Sequence, residues 1–209
     1  MLTALVTQFV LIWAVIDPIG SVPVYLSQTQ RLTAQQRRLV AFNSIAIAMG
    51  ILLFFIIVGQ ILLEAMHIPL PAFQAAGGLV LLLFALTMIF GENKVVQECK
   101  ISQEDVVHSE LCNLAVYPLA IPSIASPGAI MAVVMLTDNN RYALTEQIIT
   151  TLVMIAVLVI TLLLLLSANK VQKYIGIVGA AVISRVMGLI LAAVAVNNLL
   201  LGIKNFYTP

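Results

Sequence analysis

Polar chemistry in this chain is concentrated in two short clusters inside long apolar runs, Asp17-Pro18-Ile19-Gly20 and Ser126-Pro127-Gly128. In each, a short polar side chain stands directly before a proline. An oxygen at a helix N-cap accepts a hydrogen bond from one of the orphan N–H groups, and proline suits the next position because it has no N–H to lose. Each cluster is therefore expected to start a new half-helix, with Gly20 and Gly128 removing bulk where backbone or ligand must come close. A helix N-terminus carries partial positive charge and unsatisfied donors, so two such ends together suit a carboxylate.

The two caps differ. Asp17 is the carboxylate set well inside an apolar run, where burial is costly enough to imply a partner or a function, whereas Ser126 is neutral. That asymmetry suits a zwitterion, with its carboxylate toward Ser126 and its ammonium toward Asp17. The competing reading makes Asp17 a well-satisfied cap and nothing more. Thr87 and the pair Asn197-Asn198 lie at corresponding depths in two other apolar runs. They either bond substrate or unwound backbone, or hold helices together. Arg185, at the entrance of the last run, reads as an interfacial anchor in preference to a substrate ligand.

The elements that must position these residues are membrane helices. The 209 residues are 62% hydrophobic and 9% charged, with mean hydropathy +1.10. Soluble domains carry about a quarter charged residues, so this chain cannot clothe itself for water and lipid is its expected solvent. About 20 apolar residues cross the hydrocarbon core, and every backbone polar group there must be bonded within the protein. Leu39–Leu63, Pro71–Phe90, Ile148–Ser167 and Val186–Ile203 read as simple spans, and the Leu162–Leu166 run as lipid-facing. Leu2–Gln30 and Leu111–Thr137 are long enough to cross but are interrupted by the two clusters and by Pro23, Pro118 and Pro122. Interior proline removes a hydrogen bond and clashes with the preceding turn, so these two read as broken spanning helices, with a simple proline kink in each as the alternative. The start, Met1 to Gln8, lacks a basic leader and an A-x-A pattern, and reads as part of the first membrane helix.

The features recur at a fixed interval. Pro18 and Pro127 are 109 residues apart, Gly78 and Gly188 are 110 apart, and Gly91 and Gly202 are 111 apart. The expected fold is thus an all-α integral membrane protein of six helices, built as two inverted three-helix repeats whose first and fourth helices are broken. Residues 1–90 form the first repeat, 91–110 a polar linker holding seven of the nineteen charged residues, and 111–209 the second repeat. Arg31, Arg37, Arg38, Lys94, Lys100, Lys170 and Lys173 fall in one set of loops, Arg141 and Lys204 in the other. Basic residues favour the cytoplasmic side. The linker is accordingly expected in the cytoplasm and both termini outside, in the inner (plasma) membrane. Three spans per repeat is odd, so the second repeat lies upside down, as in many secondary transporters. Gly77-Gly78 with Ala75-Ala76, and Gly188, read as close-packing faces.

Other classes find little support. Net charge is +1 with no basic run, which argues against nucleic acid. Cys99 and Cys112 lack metal or disulfide-framework spacing and read as free thiols. No H-E-x-x-H, no second buried aspartate and no Ser–His pair within the spans points to an intramembrane enzyme, His67 and His108 lying at a loop edge and in the linker. No phosphate-binding G-x-x-x-x-G-K-[ST] occurs, so no nucleotide, metal or other cofactor is expected and a gradient would supply the energy.

At Asp17-Pro18-Ile19-Gly20-Ser21-Val22-Pro23 and again at Ile121-Pro122-Ser123-Ile124-Ala125-Ser126-Pro127-Gly128-Ala129-Ile130 the chain resembles the MarC family of small six-span bacterial and archaeal membrane proteins. Length, span count and the Asn198–Gly202-Ile203 ending agree, so the resemblance covers nearly the whole chain. Ser126 departs from it, since many relatives have glycine before Pro-Gly, and the capping argument is less general there than at Asp17. The resemblance implies a class grouped with neutral amino acid carriers, including archaeal glycine and alanine transporters driven by an ion gradient. The family name came from an association with multiple antibiotic resistance. The expected function is secondary transport of small neutral amino acids, with a proton or sodium ion as coupling partner. Asp17, Gly20, Ser21, Ser126, Gly128, Thr87, Asn197 and Asn198 are the candidate substrate-binding residues, with Pro18 and Pro127 making the breaks. The alternative is an exporter of drugs or lipid-linked solutes, or a membrane factor that transports nothing.

Overall fold

A computed structural model of the chain describes residues 2–30, 32–65, 67–90, 115–139 and 142–207. The linker 91–110, both cysteines, Arg31 and Arg141 lie outside the described residues. Every described element is helical: α1 (Leu2–Ile16), α2 (Ser21–Thr29), α3 (Ala34–Ala65), α4 (Leu70–Phe90), α5 (Ala115–Ile124), α6 (Pro127–Leu136), α7 (Leu144–Leu166) and α8 (Ala168–Tyr207).

Five stretches are long and apolar enough to cross a membrane: Leu5–Thr29 (counted across α1 and α2), Ala34–Gly59, Pro71–Phe90, Leu144–Leu166 and Val178–Tyr207. The sixth expected crossing, Leu111–Thr137, is represented by α5 and α6, ten residues each, with 111–114 outside the described residues. α5 is wound more loosely than an α-helix, and Ala125 N–H continues its pattern by donating to the Ala120 carbonyl five residues back, at 2.8 Å. Pro118 and Pro122 lie in this segment and have no N–H for regular α-helical bonding.

Helix starts follow local chemistry. Before α3, Gln36 Oε1 accepts from the Thr33 N–H at 3.0 Å, and before α7, Glu146 Oε2 accepts from the Ala143 N–H at 3.2 Å. These are the back-reaching halves of a capping box. Arg37 Nε donates to the Leu32 carbonyl at 3.1 Å, and Gln147 Nε2 donates to the Tyr142 carbonyl at 3.0 Å, each five residues back. α8 begins well before the expected Val186. Its first turns, with Lys170 and Lys173, are set off from the apolar part by Gly176, whose φ of 70° only glycine adopts readily.

The interior is made of small and branched side chains from most elements. Ile12, Val15 and Ile16 of α1 share one core with Val40, Ala48 and Leu52 of α3, Leu119 and Ile124 of α5, Ala129 and Val133 of α6, and Met154 and Leu158 of α7. Phe54, Ile57, Leu83, Leu163 and Leu200 instead point outward, each more than half exposed. Lipid tails are as apolar as leucine, so helices here associate through close packing, favoured by small residues. The Leu162–Leu166 run is not lipid-facing throughout: Leu165 is 1% exposed and belongs to the core.

α4 and α8 run antiparallel with their backbones touching. A β-carbon at Gly78 would stand 2.6 Å from the Leu199 amide nitrogen, and one at Gly202 would stand 2.8 Å from the Pro71 carbonyl oxygen. At Gly188 it would stand 3.1 Å from Ile89 Cγ1 and 3.2 Å from the Ala85 carbonyl oxygen. The close-packing faces expected at Gly78 and Gly188 are therefore two faces of one contact. Gly77 instead accommodates Met131 and Met135 of α6.

Candidate functional site

α1 ends beside α6, and α2 begins beside α5. The Ser126 hydroxyl donates to the carbonyl of Val15, in the last turn of α1, at 3.2 Å. The Ser21 hydroxyl donates to the Asp17 carbonyl at 3.0 Å, and Ser123 Oγ in the last turn of α5 lies 3.2 Å from Ser21 Oγ. With the Ser21 proton committed to Asp17, Ser123 is the donor of that second bond. All four side chains are deeply buried: Asp17 4%, Ser21 1%, Ser123 4% and Ser126 0% exposed. The protein thus sets the segment of Asp17 and Ser21 against that of Ser123 and Ser126, more than a hundred residues away, in the buried part of an apolar molecule.

The two segments repeat the same bonds. Asp17 Oδ1 accepts from the Gly20 N–H at 3.0 Å, and Ser126 Oγ accepts from the Ala129 N–H at 3.1 Å. The Asp17 carbonyl accepts from the Ser21 N–H and the Ser126 carbonyl from the Ile130 N–H, both at 3.0 Å. Ser126 has extended geometry, with φ −68° and ψ 157°, and Pro127 opens α6 behind it, as their sequence predicts. Asp17 differs: its φ is 47°, in the left-handed region that aspartate and asparagine enter more easily than most residues. The chain turns through Pro18, Ile19 and Gly20 before α2 starts at Ser21.

The Asp17 carboxylate also reaches a third element. Ser184 Oγ of α8 donates to Asp17 Oδ1 at 3.2 Å. Gly20 makes this possible, since a β-carbon there would run into the Asp17 carboxylate and lie 2.5 Å from Ser184 Oγ. Ser123 and Ser184 are members that the sequence did not single out. A lone serine in an apolar helix usually bonds its own backbone, so only the fold identifies these two.

Other candidate residues stand elsewhere. Gly128 packs on α4, where a β-carbon would lie 2.8 Å from Phe84 Cδ1. Its bareness thus admits an aromatic ring, not open space above helix donors. Thr87 is exposed and its hydroxyl donates to the Phe84 carbonyl of its own helix at 2.7 Å. Asn197 is exposed. Asn198 turns into the α4–α8 contact and accepts from Gln74 Nε2 at 3.5 Å, so it holds helices together. The exposed Arg185 is next to Ser184 on the outer side of α8. A second buried carboxylate was also missed: Asp138, 2% exposed, just past the end of α6.

Comparison with known proteins agrees over the full length. The model of the family described as "MarC family integral membrane protein" matches residues 2–207. A UPF0056 membrane protein of Methanocaldococcus jannaschii is 36% identical over 200 residues, covering 95% of this chain and 95% of the relative. The UPF0056 membrane protein YvbG of Bacillus subtilis is 30% identical over 207 residues, covering 99% and 97%. No solved structure matches the chain.

Proposed function

The chain belongs to the MarC family of multi-pass integral membrane proteins, and from that premise we propose that it is a secondary transporter of small neutral amino acids. Its substrate site lies where α1, α2, α5 and α6 end against one another. The observation that carries this reading is a pair of buried contacts across more than a hundred residues of sequence, Ser21 with Ser123 and Ser126 with the Val15 carbonyl, on either side of the buried Asp17. Apolar interiors rarely hold such a cluster without use for it.

In this reading α1 with α2, and α5 with α6, are two broken spanning helices in inverted repeats. Support comes from contacts that recur under a shift in numbering of 109 or 110. Asp17 with Gly20 corresponds to Ser126 with Ala129 at a shift of 109. Arg37 with Leu32 corresponds to Gln147 with Tyr142 at a shift of 110. Gly78 against Leu199 and Gly188 against Ile89 exchange partners under the same 110. The N-terminus of α6 receives the substrate carboxylate, and Asp17 receives the ammonium. Ser126 and Ser184 release their present bonds to Val15 and Asp17 as substrate takes their place. The linker 91–110 lies in the cytoplasm, the termini lie outside, and a proton or sodium gradient drives accumulation.

The test is uptake of a labelled amino acid panel into proteoliposomes, with proton and sodium gradients imposed singly and together. Accumulation of glycine or alanine under one gradient is expected. No accumulation of any neutral amino acid by folded protein under either gradient would overturn the reading.

A further inference from the structure

Outside the polar cluster, one feature without a use is Asn197. It lies on α8 between two exposed basic residues, Arg185 and Lys204, which are nineteen residues apart. At about 1.5 Å per residue that separation is about 28 Å, close to the thickness of a hydrocarbon core. Asn197 is seven residues from Lys204 and twelve from Arg185, hence about 10 Å inside the nearer boundary. Its side chain is exposed and makes no hydrogen bond among the described residues. An amide has two donors and two acceptor lone pairs, and in hydrocarbon there is no water to satisfy them.

The surface around it has a period. Val186, Ile190, Ala193, Asn197, Leu200 and Lys204 are all exposed and follow one another at steps of four and three. That is the a/d spacing of a left-handed helix pair, in which one polar asparagine fixes register and partner number. The opposite side of α8, with Gly188, Leu191, Ala195, Asn198 and Gly202 at steps of three and four, is already filled by α4. The two neighbouring asparagines thus face two ways. Asn198 has an amide partner in Gln74, and Asn197 has the matching seam with nothing on it among the described residues. At the same numbered interval on α4, Thr87 is also exposed, but its hydroxyl is taken by the Phe84 carbonyl. α8 therefore carries the unmet demand and α4 does not.

We infer that this face of α8 is a homodimer interface, where Asn197 pairs with the partner copy's Asn197 across a two-fold axis normal to the membrane. The chemistry selects a second copy. An amide is complementary to itself, and two copies inserted in the same sense place it at the same depth. The inference stands independently of any transport activity.

Two measurements on the full chain in liposomes test it. Single-molecule photobleaching at falling protein-to-lipid ratio should show wild type as dimers and Asn197→Leu dissociating at roughly 3- to 30-fold higher density, the range for a membrane hydrogen bond. Asn197→Gln, which keeps the amide, should remain dimeric. Cross-linking of single cysteines, with Cys99 and Cys112 replaced by serine, should join copies through Asn197→Cys, Ala193→Cys and Leu200→Cys. It should not join them through Ile57→Cys, which is 65% exposed on α3. A monomeric wild type would overturn the inference. So would a Leu variant as dimeric as wild type, a Gln variant as dissociated as Leu, or equal cross-linking at Ile57.

Discussion

Replacing Asp17 by asparagine separates a charge from a cap. Asparagine keeps an oxygen for the Gly20 N–H and for Ser184 Oγ, now at 3.0 and 3.2 Å. It also tolerates the left-handed backbone at φ 47°. As an N-cap it is about equal to aspartate, so the folded protein should lose no more than about 0.5 kcal/mol. The charge is another matter. Deleting one partner of a buried, hydrogen-bonded charge pair costs about 2–5 kcal/mol, or roughly 30-fold to several-thousand-fold in affinity. Asp17→Leu removes the cap as well, at about 1 kcal/mol, and forces a branched side chain into left-handed geometry for about 1–2 more. Asp17→Asn is accordingly expected to reach the membrane in wild-type amount and to lose at least about 30-fold in uptake at low substrate concentration. The leucine variant should be depleted from the membrane too. The assay is initial uptake and accumulation per unit of folded protein, for all three side by side. Wild-type accumulation by the asparagine variant would refute the argument and leave Asp17 a structural cap.

Three other expectations follow from packing and topology. Gly78→Val should abolish the folded state, because its side chain has the Leu199 backbone in its place, whereas Gly50→Ala, with nothing within 4 Å, should melt like wild type. Gly128→Ala should cost stability by pressing on Phe84, and Phe84→Ala should relieve part of that cost, seen as a positive coupling in a thermal double-mutant cycle. Single cysteines at Gln103 and Asn139 should label from opposite faces of the membrane in intact cells; labelling of both from outside would remove the inverted arrangement.

Much of the frame was legible because its causes are local. Apolar length locates the four uninterrupted spans, and Ser126-Pro127 announces the start of α6 through the cap bond that the structure contains. Glycine at 78 and 188 signals a close approach, and the approach is there. What stayed hidden depends on partners far away in sequence or on signals hydropathy does not carry. Ser184 and Ser123 are ordinary serines until the fold sets them beside Asp17 and Ser21. The apolar part of α8 reaches back past Arg185 to Val178, so a span cut at that charge starts too late. Thr87 and Asn197 share a depth in sequence, but depth says nothing of azimuth, and both turn outward. The left-handed turn at Asp17 was not expected either, because a polar residue before proline ordinarily implies the extended geometry that Ser126 adopts.

The backbone contact between α4 and α8 also limits how this molecule can move. Gly188, Ala195 and Gly202 recur every seven residues along α8, like teeth of even pitch. A slip of α8 by one residue would carry a branched side chain into a notch that has no room for a β-carbon at Gly78. The next register that sets a small residue at all three of these places is a full heptad away, about 10 Å. Packed helices shear by far less than that. The pair therefore behaves as a keyed shaft, locked against sliding, and any change of shape has to be a rotation of the remaining helices around it.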